Sequence, residues 1–239
     1  MIDTFIAVDI ETTGLDPRLD KIIEIGAVKV VKGKIIESFD ILVNPKRELS
    51  QFITRLTGIT DSMLIEATEE EEAFQKFLAF AEEEVLLGHH LIFDYSFLKC
   101  IAAKRKIPFE RKGIDTLKIA KVCLPQIEKH SLEYLCSYYQ IVNRHAHRAC
   151  EDAMATISLY WQLKEQFWND SLQMEQVFSA EQMMYRVKKE SPITAAQMRY
   201  LKALVQYHHI NLEEEICQMT KQTASRKIDQ ILSIYGKIR

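Results

Sequence analysis

Residues 4–10 (T-F-I-A-V-D-I) form a β-branched and aromatic-rich run with almost no polar break, the pattern of a strand buried at the centre of a sheet. Two more strand-like runs follow at 24–31 and 34–43, and Lys32-Gly33 between them reads as a hairpin turn. After a turn-rich loop, L-T-G-I-T-D-S, residues 67–84 place Ala73, Phe74, Phe77, Leu78 and Ala81 at helical spacing behind an acidic start that suits the helix dipole. A short apolar strand is predicted at 85–88, and a helix at 95–106 that stops before Pro108. A strand at 114–116 leads into a helix ending near Pro125, Ser131 caps a helix to about residue 139, and a long helix covers 148–167. Strands alternating with helices after an opening hairpin predict an α/β fold on a mixed, five-stranded sheet flanked by helices.

Residues 1–168 make up this domain, 169–192 read as a partly helical connector punctuated by Ser191-Pro192, and 193–239 form a small helical module. In the module, Met198, Leu201, Leu204 and Val205 share one face of a helix capped by Thr194. Ile228, Ile231 and Leu232 mark a second helix at about 225–235. The module is too small for much stability of its own.

A net charge of −3 over 239 residues argues against a nucleic-acid partner until its distribution is considered. Residues 186–239 hold ten basic and five acidic side chains, against 21 and 29 in the preceding part. Much of that acidic excess lies in the runs 69–72 and 82–84, which read as the solvated ends of a helix. The five cysteines are widely spaced with no C-x-x-C, as expected of reduced core thiols in a cytoplasmic protein. The first ten residues lack the basic start of a signal peptide, and no apolar run reaches the length of a membrane span.

Against this background three short blocks carry chemistry. Asp9 and Glu11 in D-I-E-T-T-G stand two apart at the end of the first strand, so both side chains project to one side while Ile10 enters the core. Gly14 follows, where the missing Cβ lets a ligand approach the backbone. Asp94 closes G-H-H-L-I-F-D at the start of a helix, where an ordinary helix cap is the competing explanation. His147 and Asp152 frame H-R-A-C-E-D, and five residues along an ideal helix would set them about 140° apart. They converge only if the histidine lies in the loop before the helix and the aspartate in its first turns. The competing reading of His147 is a surface residue in the basic turn of Arg144, His145 and Arg148. Histidine titrates near neutrality and suits a general base. Four carboxylates meeting at one point repel unless a cation sits between them, and hard oxygen ligands favour Mg²⁺ or Mn²⁺ over zinc. The histidine pairs His89-His90, His145-His147 and His208-His209 are poorer candidates for a metal site than these carboxylates.

The three blocks in this order, with L-T-G-I-T (56–60) and H-S-L-E-Y-L (130–135), resemble the DEDD family of 3′–5′ exonucleases in its histidine-using variety. That family includes epsilon-like proofreading subunits of bacterial replicative polymerases, RNase T and oligoribonuclease. The resemblance covers about residues 3–165 and implies a ribonuclease-H-like fold with two divalent ions. It implies that Asp9 bridges both ions, that Glu11 and Asp152 complete one site, that Asp94 holds the other, and that His147 is the base. Thr12, Thr13, Gly14 and Leu15 would grip the terminal nucleotide, with Ile59 and Phe97 as apolar contacts to its base. His90 stands where the family usually has asparagine, which bears on loop geometry and substrate grip. The expected activity is removal of 5′-mononucleotides from single-stranded DNA 3′ ends in proofreading or repair, with a DNA polymerase subunit as a partner. Trimming of RNA 3′ ends and a non-catalytic nucleic-acid or polymerase-binding role are the alternatives.

Overall fold

A computed structural model describes residues 2–143, 146–188, 191–212 and 215–238. The chain divides into two compact units, Met1–Val187 and Lys188–Arg239. The first opens with β1 (Phe5–Thr12), β2 (Ile22–Val31) and β3 (Lys34–Asn44), followed by helices α1 (Gln51–Thr57) and α2 (Asp61–Leu64). Next come β4 (Thr68–Glu69), α3 (Glu70–Ala81), β5 (Leu86–Gly88), α4 (Ile92–Arg105), β6 (Lys112–Asp115) and α5 (Thr116–Cys123). Helices α6 (Leu132–Tyr139), α7 (Ala149–Phe167) and α8 (Leu172–Val177) precede the last strand, β7 (Glu181–Gln182).

Among the described residues the strands form one mixed sheet in the order β4-β3-β2-β1-β5-β6-β7. β1 sits centrally, antiparallel to β2 and parallel to β5. Its alternate residues enter two different layers. Ile6, Val8 and Ile10 pack with Phe74, Phe77, Tyr95 and Leu98 of α3 and α4. Phe5 and Ala7 pack on the opposite face with Ala153, Ile157 and Tyr160 of α7. A period of two then assigns Asp9 and Glu11 to the α7 side, where the strand turns from apolar to acidic. This single switch puts the carboxylates at the N-terminal end of α7.

Several expectations change. The sheet gains two edge strands of two residues each, β4 and β7, too short for any alternation to reveal them. The turn-rich segment holds α1 and α2: Ser50 caps α1 by accepting from the Ile53 amide, and Gly58 ends it at φ 71°. Helix α4 starts at Ile92, so Asp94 lies in its first turn and does not cap it. The segment after residue 168 carries α8 and β7, and Phe178 and Met183 are buried in the core of the first unit. The acidic run 70–72 occupies the first turn of α3, as its dipole favours. Cys217 is exposed, unlike the buried Cys100 and Cys136.

The second unit contains α9 (Ala195–Tyr207), a 3₁₀ turn (Ile216–Gln218) and α10 (Lys221–Tyr235). Thr194 and Gln197 form a reciprocal capping box at the start of α9. Helix α10 begins four residues earlier than the apolar spacing suggested, because Thr220 caps it through the Thr223 amide. The Ile193 and Lys221 amides donate to Met219 and Ser191 carbonyls, so the two helices start side by side. Leu201, Leu204, Ala224, Ile228 and Ile231 fill the small core between them. His208 is spent structurally: it shares a hydrogen bond with the Gly236 carbonyl at 3.2 Å and packs on Tyr207 and Tyr235. No helix among the described residues is long and apolar enough to cross a membrane.

Candidate active site

The end of β1 and the start of α7 make the site. Glu11, His147 and Asp152 each offer a ligand atom within 4.8 Å of the other two. His147 lies before α7 in a left-handed conformation (φ 65°), and Asp152 is in the first turn. That is the only arrangement their five-residue spacing permits. The Asp152 carboxylate fixes it, accepting from the His147 backbone amide (3.0 Å) and from Asn143 Nδ2 (2.6 Å). Arg144 and His145 of the basic turn lie outside the described residues.

Asp94 enters from the other layer. It is 3% exposed, and its Oδ1 accepts from the Ile10 amide at 3.0 Å, tying α4 to β1 between Asp9 and Glu11. The same geometry has an electrostatic consequence. Burial, then the charges of Asp94, Asp152, Glu11 and Glu24, hold the Asp9 carboxyl well above the usual range. Burial with the charges of Asp152 and Glu24 pushes Glu11 up to about 8, although Arg148 pulls it down. Burial raises Asp94 and Asp152 too, while their hydrogen bonds act in the opposite direction. Carboxyls that resist ionisation together fit a divalent cation, whose charge removes the repulsion.

The loops around this cluster are braced from within. Thr12 Oγ1 donates to the Gly14 carbonyl at 2.7 Å, and Thr13 bonds Lys21 through both its backbone and its hydroxyl. A Cβ on Gly14 would meet the Asp20 carboxylate at 2.6 Å, so the glycine makes room for Asp20 and not for a ligand. Leu15 beyond it is 83% exposed. His90 adopts φ 66°, a conformation in which asparagine is favoured and histidine also enriched, and its amide donates to Asp115 at 2.9 Å. The side chain at this position, where the family usually has asparagine, is exposed. His89 is structural: Nε2 donates to the His130 carbonyl at 2.7 Å and Nδ1 shares a hydrogen bond with the Thr116 hydroxyl. The ring of His130, which opens H-S-L-E-Y-L, instead donates from Nε2 to the Leu124 carbonyl at 3.0 Å.

Ile59 and Phe97 do not face outward. Ile59 is fully buried with Ile23, Ile53 and Leu64, and Phe97 is 2% exposed in the main core. Their apolar character was spent on packing, which sequence cannot distinguish from a base contact. Half-buried Phe93, missed by the sequence reading, packs at a tilt against Phe97, ring centroids 5.1 Å apart, and directly precedes Asp94. Glu24 was missed as well. It stands opposite Glu11 in the β1–β2 ladder, fully buried and the one acidic residue of its strand.

Comparison with known proteins agrees with this geometry. The RNase_T exonuclease family model matches residues 6–160. A PolC-type DNA polymerase III from Caldanaerobacter subterraneus subsp. tengcongensis is 42% identical over 161 residues, covering 67% of this chain and 12% of that protein. The Bacillus subtilis PolC-type DNA polymerase III is 38% identical over 160 residues, covering 66% of this chain and 11% of the relative. The chain thus spans only about an eighth of these relatives or less. Among solved structures, Exonuclease X in complex with 5′-overhanging duplex DNA aligns with a TM-score of 0.56 at 26% identity, over 72% of this chain and 98% of that one. E. coli Exonuclease I in complex with an oligonucleotide gives a TM-score of 0.62 at 21% identity, over 68% and 41%, a likeness of fold.

Proposed function

The chain belongs to the RNase_T family as a DEDD-type 3′–5′ exonuclease, and from that premise we propose that it removes 5′-mononucleotides from single-stranded DNA 3′ ends. The observation that carries the proposal is the meeting of Glu11, His147 and Asp152 within 4.8 Å, on the strand face that also bears Asp9.

Asp9, Glu11, Asp94 and Asp152 would hold two Mg²⁺ or Mn²⁺ ions. Such ions, when bound, polarise the scissile phosphate and acidify an attacking water. The protein's own contribution is positional. Asp94 fixes β1 against α4, and Asp152 holds the His147 turn by its amide. The His147 ring is then free to take the proton of the water that attacks the terminal phosphodiester. Thr12, Thr13, Gly14 and Leu15 form the braced loop beside which the terminal nucleotide lies, and His90 borders it. Phe93 takes over the base-contact role first assigned to Phe97 and Ile59.

Replacing His147 by alanine should lower kcat by about 10²–10⁴-fold, the range for loss of a general base, with little change in KM. Steady-state cleavage of a labelled oligonucleotide checks this, and a kcat within a few-fold of the parent would remove the histidine from the mechanism.

PolC-type relatives make a DNA polymerase the natural partner, with this chain proofreading in the cytoplasm or trimming ends in repair. The basic surplus of the second unit supplies salt-sensitive attraction for phosphates. Removing residues 188–239 should weaken binding to single-stranded DNA at low salt and flatten its salt dependence. Equal affinity of the full and shortened chains at every ionic strength would dismiss that role.

A further inference from the structure

Glu24 interrupts the buried strand I-I-E-I-G-A-V at a costly place. It faces Glu11 directly across the ladder, where like charges destabilise, and exposes none of its surface. Both of its oxygens are occupied. Oε2 accepts from the Ala149 amide at 2.8 Å, and Oε1 from Arg148 Nε at 2.9 Å and its terminal nitrogen at 2.5 Å. Ala149 is the first residue of α7, and Arg148 at the N-cap makes no side-chain capping bond of its own. A carboxylate from β2 therefore caps the helix from outside.

Gly26 serves the same junction. It pairs with Asp9 in the ladder, and a Cβ there would lie 2.1 Å from the Cys150 amide nitrogen. Its absence lets the first turn of α7 rest on the strand backbone. Asp152 is only three residues beyond Ala149, and His147 only two before it.

We infer that Glu24 is a positioning residue which, by capping α7 and gripping Arg148, holds His147 and Asp152 over Glu11. The inference rests on the exonuclease reading of the site. It concerns reach more than charge, because both acceptors, one at the Ala149 amide and one at Arg148, need the full length of the side chain.

Two variants separate those properties. Glu24→Asp keeps the charge and withdraws both acceptors by one methylene, whereas Glu24→Gln keeps one acceptor at full reach, for the Ala149 amide, and gives up the one that Arg148 uses. In Glu24→Asp, kcat should fall about 10–100-fold with KM nearly unchanged, the size expected when a ligand's support is lost. Calorimetric titration of the folded variant with Mn²⁺ alone should show affinity about tenfold weaker. Glu24→Gln should lie closer to the parent in both readouts. Should Glu24→Asp fail to fold, Arg148→Gln, at a side chain 34% exposed, is expected to move both readouts the same way by a smaller factor. Folded Glu24→Asp with kcat and Mn²⁺ affinity within twofold of the parent would overturn the inference. So would a Gln variant worse than the Asp one, or a lowered melting temperature with intact Mn²⁺ affinity. Asp9→Asn run alongside keeps the levels apart: if it stays active the site assignment fails, and if it is inactive while the Glu24 variants behave as parent, only this inference fails.

Discussion

Asp9→Asn is expected to lower kcat by about 10³-fold or more, close to 4 kcal/mol of transition-state stabilisation, while the metal-free protein melts at a higher temperature than the parent. The two effects share one cause. Asp9 lies on the acidic face of β1, and burial plus four neighbouring carboxylates oppose its ionisation. Asparagine preserves the shape and removes the charge that a divalent cation needs and that the empty cluster tolerates badly. Steady-state cleavage with Mg²⁺ and thermal melts in chelator measure the two halves separately. An undiminished rate would refute the site, and a lowered melting temperature would show that Asp9 supports the fold in some other way.

The stability of the metal-free protein should fall as pH rises from about 4.5 towards 8. Glu11 moves from 4.5 to about 8 in the folded protein, so within that window the folded state keeps a proton that the unfolded chain releases. Stability then declines with pH by up to about 1.4 kcal/mol per pH unit for that group alone. Below 4.5 both states hold the proton, and above 8 neither does, so Glu11 contributes no further slope. Asp9, Asp94 and Asp152 are all displaced upward and act in the same direction. Mg²⁺ should reverse the trend, raising the melting temperature more at pH 8 than at pH 5, because binding must displace protons at the lower pH. Melts in chelator and in Mg²⁺ across pH 5–8 test this. A metal-free melting temperature that holds level or climbs with pH would contradict the convergence of these carboxyls.

The acidic candidates stood out because they fall near the end of β1 or in the first turns of α4 and α7, beside apolar runs. Asp9 and Glu11 end the apolar run of β1 on one face, and His147 with Asp152 fit only a loop-then-helix reading. Residues whose type suits packing as well as binding were not legible. Ile59 and Phe97 could touch a base or fill a core, and burial decides for the core. Glu24 left a signal in principle: a lone carboxylate in a buried run, two residues before a glycine in the same strand. Its partner Ala149 is 125 residues away, so only the fold could supply the reason. Short edge strands such as β4 and β7 carry two residues each, below the length at which alternation means anything. Gly14 misled differently, since the space beside it belongs to the Asp20 carboxylate.

The most direct test is incubation of the protein with 5′-labelled single-stranded DNA and RNA of matched sequence, in Mg²⁺, Mn²⁺ or chelator, beside Asp9→Asn. The account predicts a metal-dependent ladder shortening from the 3′ end of DNA, with 5′-mononucleotides as product and no ladder from the variant. A ladder on RNA alone would contradict the proposed substrate, and no ladder on either strand would contradict the exonuclease itself.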